Sequence, residues 1–164
     1  MPGIECLTLY GQIKLVPVEK LSFRPAAYAV LIRDQEIMLL RMKATGKYHL
    51  PGGGVEVGER IEDALHREVS EETGMEIQVN RLVDFQELFF YYDPSGRAYH
   101  GLHFYYLCSP ITTQLIAGEQ VEDDSAANPY WVKISELQPE DFQHSGKNIL
   151  TICKMILMGI LPHP

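Results

Sequence analysis

The segment from Gly53 to Met75 constrains this chain more than any other part of it. It opens in a glycine cluster, Pro51-Gly52-Gly53-Gly54, where the backbone must turn tightly. The spacing then predicts a helix over Arg60–Thr73. Ile61, Leu65 and Val69 recur every fourth residue and give one apolar stripe. Gly74 stands where a C-terminal glycine cap belongs. Within this helix Glu68, Glu71 and Glu72 sit at i, i+3 and i+4, which puts three carboxylates on one face. Like charges repel there, and the nearby helix C-terminus disfavours anions as well. Most acidic helix faces are simply solvated. A face carrying both penalties calls for a compensating cation, and hard carboxylate oxygens suit Mg²⁺ or Mn²⁺.

The surrounding pattern decides between the two. Gly53 is followed after five residues by Glu59 and after seven more by Arg67-Glu68-Val69-Ser70-Glu71-Glu72-Thr73-Gly74-Met75. This stretch resembles the Nudix box at every defining position, the apolar Val69 and Met75 included. Tyr48-His49-Leu50-Pro51-Gly52-Gly53 looks like the family's lead-in, with Tyr48 where Trp is more usual. Tyr130-Trp131-Val132 followed by Glu136-Leu137 resembles a segment of nucleotide-cleaving members. The likeness runs from about Ala26 to Leu137.

The resemblance implies an α/β (α+β) fold, an α/β/α sandwich with a mixed β-sheet and a catalytic loop–helix–loop. It implies a Mg²⁺-dependent hydrolase, with Mn²⁺ as a substitute, that cuts the diphosphate bond of a nucleoside diphosphate linked to another group. Glu68, Glu71 and Glu72 would be metal ligands, with Gly53 offering its carbonyl oxygen and Glu59 serving a second metal directly or through water. Arg67 would clamp a carboxylate, since its guanidinium fork matches that geometry. Glu68 is the first candidate for the base that accepts a proton from water, with Glu119 or Glu122 as alternatives. A non-catalytic, nucleotide-binding regulatory domain is the competing reading, although such domains usually lose box glutamates.

The rest of the chain reads as one domain, residues 1–164. Residues 1–24 look like an irregular lead-in with short strands such as Leu15–Val18. Ala26–Arg33 and Glu36–Met42 form a hairpin around Asp34-Gln35, and Ile77–Tyr92 pairs with Ala98–Cys108 around Asp93-Pro94-Ser95-Gly96. On this reading Phe89 to Tyr92 face Phe104 to Tyr106. Tyr130–Ile134 is a further strand. A C-terminal helix lies within 145–161, its body at Lys147–Ile160, and its apolar residues cover more than one stripe. That excess suggests a helix lying unusually deep or a homodimer, and the second is favoured.

Charge and cysteines bound the partners. The chain has 22 Asp plus Glu against 14 Lys plus Arg, so no general nucleic-acid or anionic-membrane footprint is expected. Cys6, Cys108 and Cys153 are far apart and odd in number. They suit a reducing, cytoplasmic setting better than disulfides or a zinc site. No secretion signal opens the sequence, and Ile149–Leu161 is too short to span a bilayer. The expected partner is a nucleotide-like small molecule. Its contacts are the weakest part of the reading: Arg41, Tyr91, Trp131 and Glu122 are the substrate candidates. Arg24, Arg33 and Lys43 are further cations that could touch phosphate. His100 and His103 fall on opposite faces of a regular strand and cannot share a metal.

Overall fold

Strand β3 (Leu21–Arg33) organises the molecule. The computed structural model describes residues 3–112, 115 and 126–161, and in it each face of β3 is covered by a different helix. Ala27, Ala29 and Leu31 join the cluster under α1 (Ile61–Thr73), with Leu65, Val69 and Met75. Val30 and Ile32 point the other way, into the cluster around α2 (Gly146–Leu157), with Ile149, Ile152, Cys153 and Ile156. A strand buried on both faces reads as an apolar run, and Ala26 to Ile32 is that run. Each fully buried Leu, Ile or Val on these faces contributes about 1.5–3 kcal/mol.

The remaining strands are β1 (Gly3–Thr8), β2 (Ile13–Pro17), β4 (Glu36–Met42), β5 (Tyr48–His49), β6 (Gly52–Gly54), β7 (Ile77–Tyr92), β8 (Arg97–Pro110) and β9 (Ala126–Lys133). They line up as β2-β1-β7-β8-β3-β4-β5, with β6 on β3 and β9 on β4. The β1–β7 and β3–β8 pairs are parallel and the others antiparallel, so the sheet is mixed. The β3–β4 turn has positive φ at both Asp34 (48°) and Gln35 (66°), as two-residue hairpins require. Gly74 closes α1 in the left-handed conformation and donates its N–H to the Ser70 carbonyl.

Three expectations change. The first 24 residues are not an irregular lead-in: β1 and β2 pair along the sheet edge, and β3 starts at Leu21. The aromatic residues of the long hairpin do not face one another as expected. The tight turn after Tyr92 pairs Phe90 with Tyr99, and Phe104 lies opposite Phe85. The last helix ends at Leu157, ahead of Gly159 at φ 70°. Ile149, Leu150, Ile152 and Ile156 are buried in its own chain, whereas Leu157, Met158 and Ile160 at its end are exposed. All three cysteines are buried and free. Among the described residues no helix is long and apolar enough to cross a membrane.

Candidate active site

The glycine cluster forms β6, which lies antiparallel on the middle of β3 and brings the loop up to α1. Two glycines do different work there. Gly52 adopts φ 138°, and a Cβ on it would fall 2.1 Å from the Ala27 carbonyl oxygen. Its N–H donates to Glu72 Oε2 at 2.7 Å. A Cβ on Gly53 would fall 2.6 Å from the Glu68 carboxylate. The glycines therefore let the strand approach the glutamate helix closely.

Arg67 gathers the acids around this approach. It donates from Nε to Glu59 Oε1 at 2.9 Å and from Nη2 to Glu59 Oε2 at 3.0 Å, a two-pronged contact. Nη1 donates to Glu68 Oε1 at 2.9 Å and reaches Glu71 at 3.5 Å, while Nη2 also donates to the Gly54 carbonyl at 3.1 Å. The hydrogen bond from Arg67, helped by the Glu56 amide, holds the Glu59 carboxyl at about 2. Burial pushes the Glu68 carboxyl up, against the pull of Arg67. Glu72 is the exception to an exposed carboxylate face, being 2% exposed. The Gly52 amide offsets part of its desolvation.

A cavity of about 370 Å³ opens beside these groups, within the range of roughly 300–1,000 Å³ usual for small-molecule sites. Gly52, Gly53, Gly54, Glu68 and Glu72 line it, with Arg24 beside Gly54. A wall of rings lines it as well, among them Tyr28, Phe90, Tyr99, His103 and His144, and the Arg24 guanidinium lies 5.7 Å from the Tyr99 ring centre. Burial lowers His103 to about 3 and His144 to about 4, so both rings are neutral at physiological pH.

The structure brings together Gly53, Glu59, Arg67, Glu68, Glu71 and Glu72 at one end of the glutamate helix. It does not bring the substrate candidates Arg41, Tyr91 and Trp131 there. Arg41 donates to the Gly46 carbonyl and to the Tyr48 hydroxyl, bracing the β4–β5 turn away from the cavity. Tyr91 alternates to the opposite face of β7, where the Lys14 ammonium lies 3.7 Å from its ring centre. Trp131 packs at the α1-side cluster with the Arg33 guanidinium over its ring. Glu119 and Glu122 lie outside the described residues. His103 and His100 do sit on opposite faces, the second paired with Glu87. Arg24, one of the cations expected to touch phosphate, does line the cavity, and the residues missed are its rings. Strand alternation around the Asp93–Gly96 turn could have found Phe90 and Tyr99. Tyr28 and His103 share that wall only because β3 and β8 pair in parallel.

Among the described residues no three acidic, His or Cys side chains converge on one point as they stand. Arg67 and the Gly52 amide hold the carboxylates instead. The donor chemistry nonetheless fits a hard divalent cation. Glu68 and Glu71 are partly buried anions on adjacent turns, and the desolvation that raises Glu68 is the penalty a bound cation would offset.

A mixed sheet between two helices, with a glycine loop feeding an acidic helix, defines a loop–helix–loop hydrolase architecture. The NUDIX domain family model matches residues 22–151, and the chain belongs to the Nudix hydrolase family. Nucleoside triphosphatase NudI of Escherichia fergusonii is 30% identical over 121 residues, covering 71% of this chain and 79% of that protein. Putative nudix hydrolase 1 of Caenorhabditis elegans is 31% identical over 133 residues, covering 77% of this chain. This chain spans only 33% of that longer protein. An ADP-ribose pyrophosphatase from Streptococcus suis shares the fold, with a TM-score of 0.61 at 17% identity over 86% of this chain and 94% of that one.

Proposed function

We propose that this chain uses Mg²⁺, or Mn²⁺ in its place, to hydrolyse the diphosphate bond of a nucleoside triphosphate or a similar small nucleotide. One observation carries the reading. A single cavity is lined both by the glycine loop with Glu68 and by a wall of rings. A phosphate chain suits the first set of groups and a flat base the second. The NudI relatives are named as nucleoside triphosphatases, which agrees.

Glu68, Glu71 and Glu72, with the Gly53 carbonyl, would hold the cation, and Glu59 would serve a second. A cation held there would supply positive charge against the phosphate oxygens and a site for a water. Glu68 accepts the proton from that water. Arg67 sets the orientation of Glu68 through Nη1 and ties Glu59 to the loop carbonyl of Gly54. Arg24, beside Gly54, is placed to meet a phosphate oxygen. The test is release of phosphate, pyrophosphate or monophosphate from a nucleotide panel with Mg²⁺, with and without EDTA. Turnover that survives excess EDTA overturns the reading, as does a panel on which nothing is cleaved.

A further inference from the structure

The ring wall of the cavity holds one polar atom that hydrolysis leaves unused. His103 is 3% exposed, and its Nε2 has no hydrogen-bond partner. An enclosed polar atom without a partner is costly, and one that persists needs an explanation. The ring packs among aromatic neighbours. Tyr28 lies 5.0 Å and Phe90 5.9 Å from its centroid. Gly101 makes the room: a Cβ there would fall 3.2 Å from His103 Nε2 and 3.0 Å from the Phe90 ring.

We propose that His103 reads the base of the bound nucleotide, through hydrogen bonds from its imidazole to the edge of a planar heteroaromatic ring seated in this cavity. The inference rests on the nucleotide reading of the same cavity and names what selects the base. Flat apolar walls take any aromatic ring, so discrimination has to come from polar groups. Most of those nearby are engaged. Gln143 donates to the Leu9 carbonyl and accepts from Thr45, and the Tyr105 hydroxyl donates to Ser145. His103 keeps a nitrogen in reserve. Turning the ring about Cβ–Cγ exchanges its nitrogen and carbon edges, so a ligand can be met without moving the strand. Neutral imidazole has one donor and one acceptor, which complements the paired donors and acceptors along a base edge. Its protonated form would present donors only. Burial, the neighbouring His144 and Arg24 all favour the neutral ring.

Calorimetric titration of metal-free protein tests this without turnover. The ligands are the nucleoside 5′-monophosphates of the common bases, with ribose 5-phosphate as a base-free control. Wild type is expected to prefer one base or base pattern by about tenfold or more, the worth of one or two buried hydrogen bonds. His103→Phe keeps the ring and is expected to level that preference while leaving ribose 5-phosphate binding unchanged. His103→Gln, which keeps a donor and an acceptor, is expected to retain part of it. Thermal unfolding shows that each variant folds, and His103→Leu replaces His103→Phe if the larger ring does not fit. An undiminished preference in the folded apolar variant overturns the role of His103 and leaves the hydrolase reading intact. Wild type that binds no monophosphate better than ribose 5-phosphate overturns the base site itself. The EDTA experiment judges hydrolysis separately.

Discussion

Gly52 and Gly53 are neighbours, yet replacing each with alanine is expected to damage different properties. At Gly52 the new Cβ would lie 2.1 Å from the Ala27 carbonyl oxygen and 2.7 Å from Tyr28 Cα, both backbone atoms of β3. Its φ of 138° also strains any L side chain. Strain of this kind costs about 1–3 kcal/mol, and overpacking adds about 1–3 kcal/mol. At about 2–4 °C per kcal/mol for a domain of this size, Gly52→Ala should lower Tm by roughly 5–20 °C. At Gly53 the Cβ meets only the end of the Glu68 side chain, at 2.6 Å. That end can swing aside, so Gly53→Ala should cost no more than about 1 kcal/mol, a typical surface-to-partial-burial effect. A carboxylate displaced by about an ångström, however, should lower turnover about a hundredfold. Circular dichroism melts and monophosphate release, measured on both variants, separate the two effects. Gly52→Ala melting with wild type, or Gly53→Ala turning over at the wild-type rate, would refute the reasoning.

Glu71→Gln and Glu72→Gln should each fold and lose about 10²–10⁴ in rate; in Glu72→Gln the amide oxygen can still accept from Gly52, and metal-free melts should be no lower than wild type. Unchanged kinetics in either would break the ligand assignment. Stability should fall in acid because of His103 and His144, held at about 3 and about 4 against an ordinary 6.5. The unfolded chain binds their protons first, so the loss begins as pH drops below about 6.5 and continues to about 3, at up to about 1.4 kcal/mol per pH unit for each ring. His103→Phe should flatten that slope in urea titrations at pH 5 and 7.5, and an identical slope would remove His103 as a cause. Ile156→Ala, at a fully buried position of α2, should cost about 2–5 kcal/mol by chemical denaturation. A cost under about 1 kcal/mol would mean that the helix is not seated in the core.

The glutamate helix was legible because its signals agree: the Ile61–Leu65–Val69 stripe, the Gly74 stop and the carboxylate spacing all describe one element. The β3–β4 hairpin was legible for a similar reason, since Asp34-Gln35 separates two apolar runs. The cavity wall was not. Tyr28 and His103 meet through a parallel pairing, and no local sequence signal marks which distant strand a parallel strand will join. The burial of Glu72 was not legible, because its spacing gives the face of the helix but not the height of the strand beside it. The Gly52 amide reaches that face and covers it. Arg41 and Tyr91 looked free as isolated letters. A turn carbonyl and a lysine on the neighbouring sheet edge take them up.

The parallel pairing of β3 with β8 also sets the order in which the protein can assemble. Leu21 pairs with Ala98 and Leu31 with Cys108, so each pair closes a loop that contains β4, β5, β6, α1 and β7. The entropy of closing that loop is spent before any of these pairs form. The glycine strand docks on β3, and the ring wall needs His103 from β8. On the ribosome, then, the glutamate helix emerges well before it has a cavity to serve. The nascent chain has to extend through β8 and on to His144 before the cavity is complete.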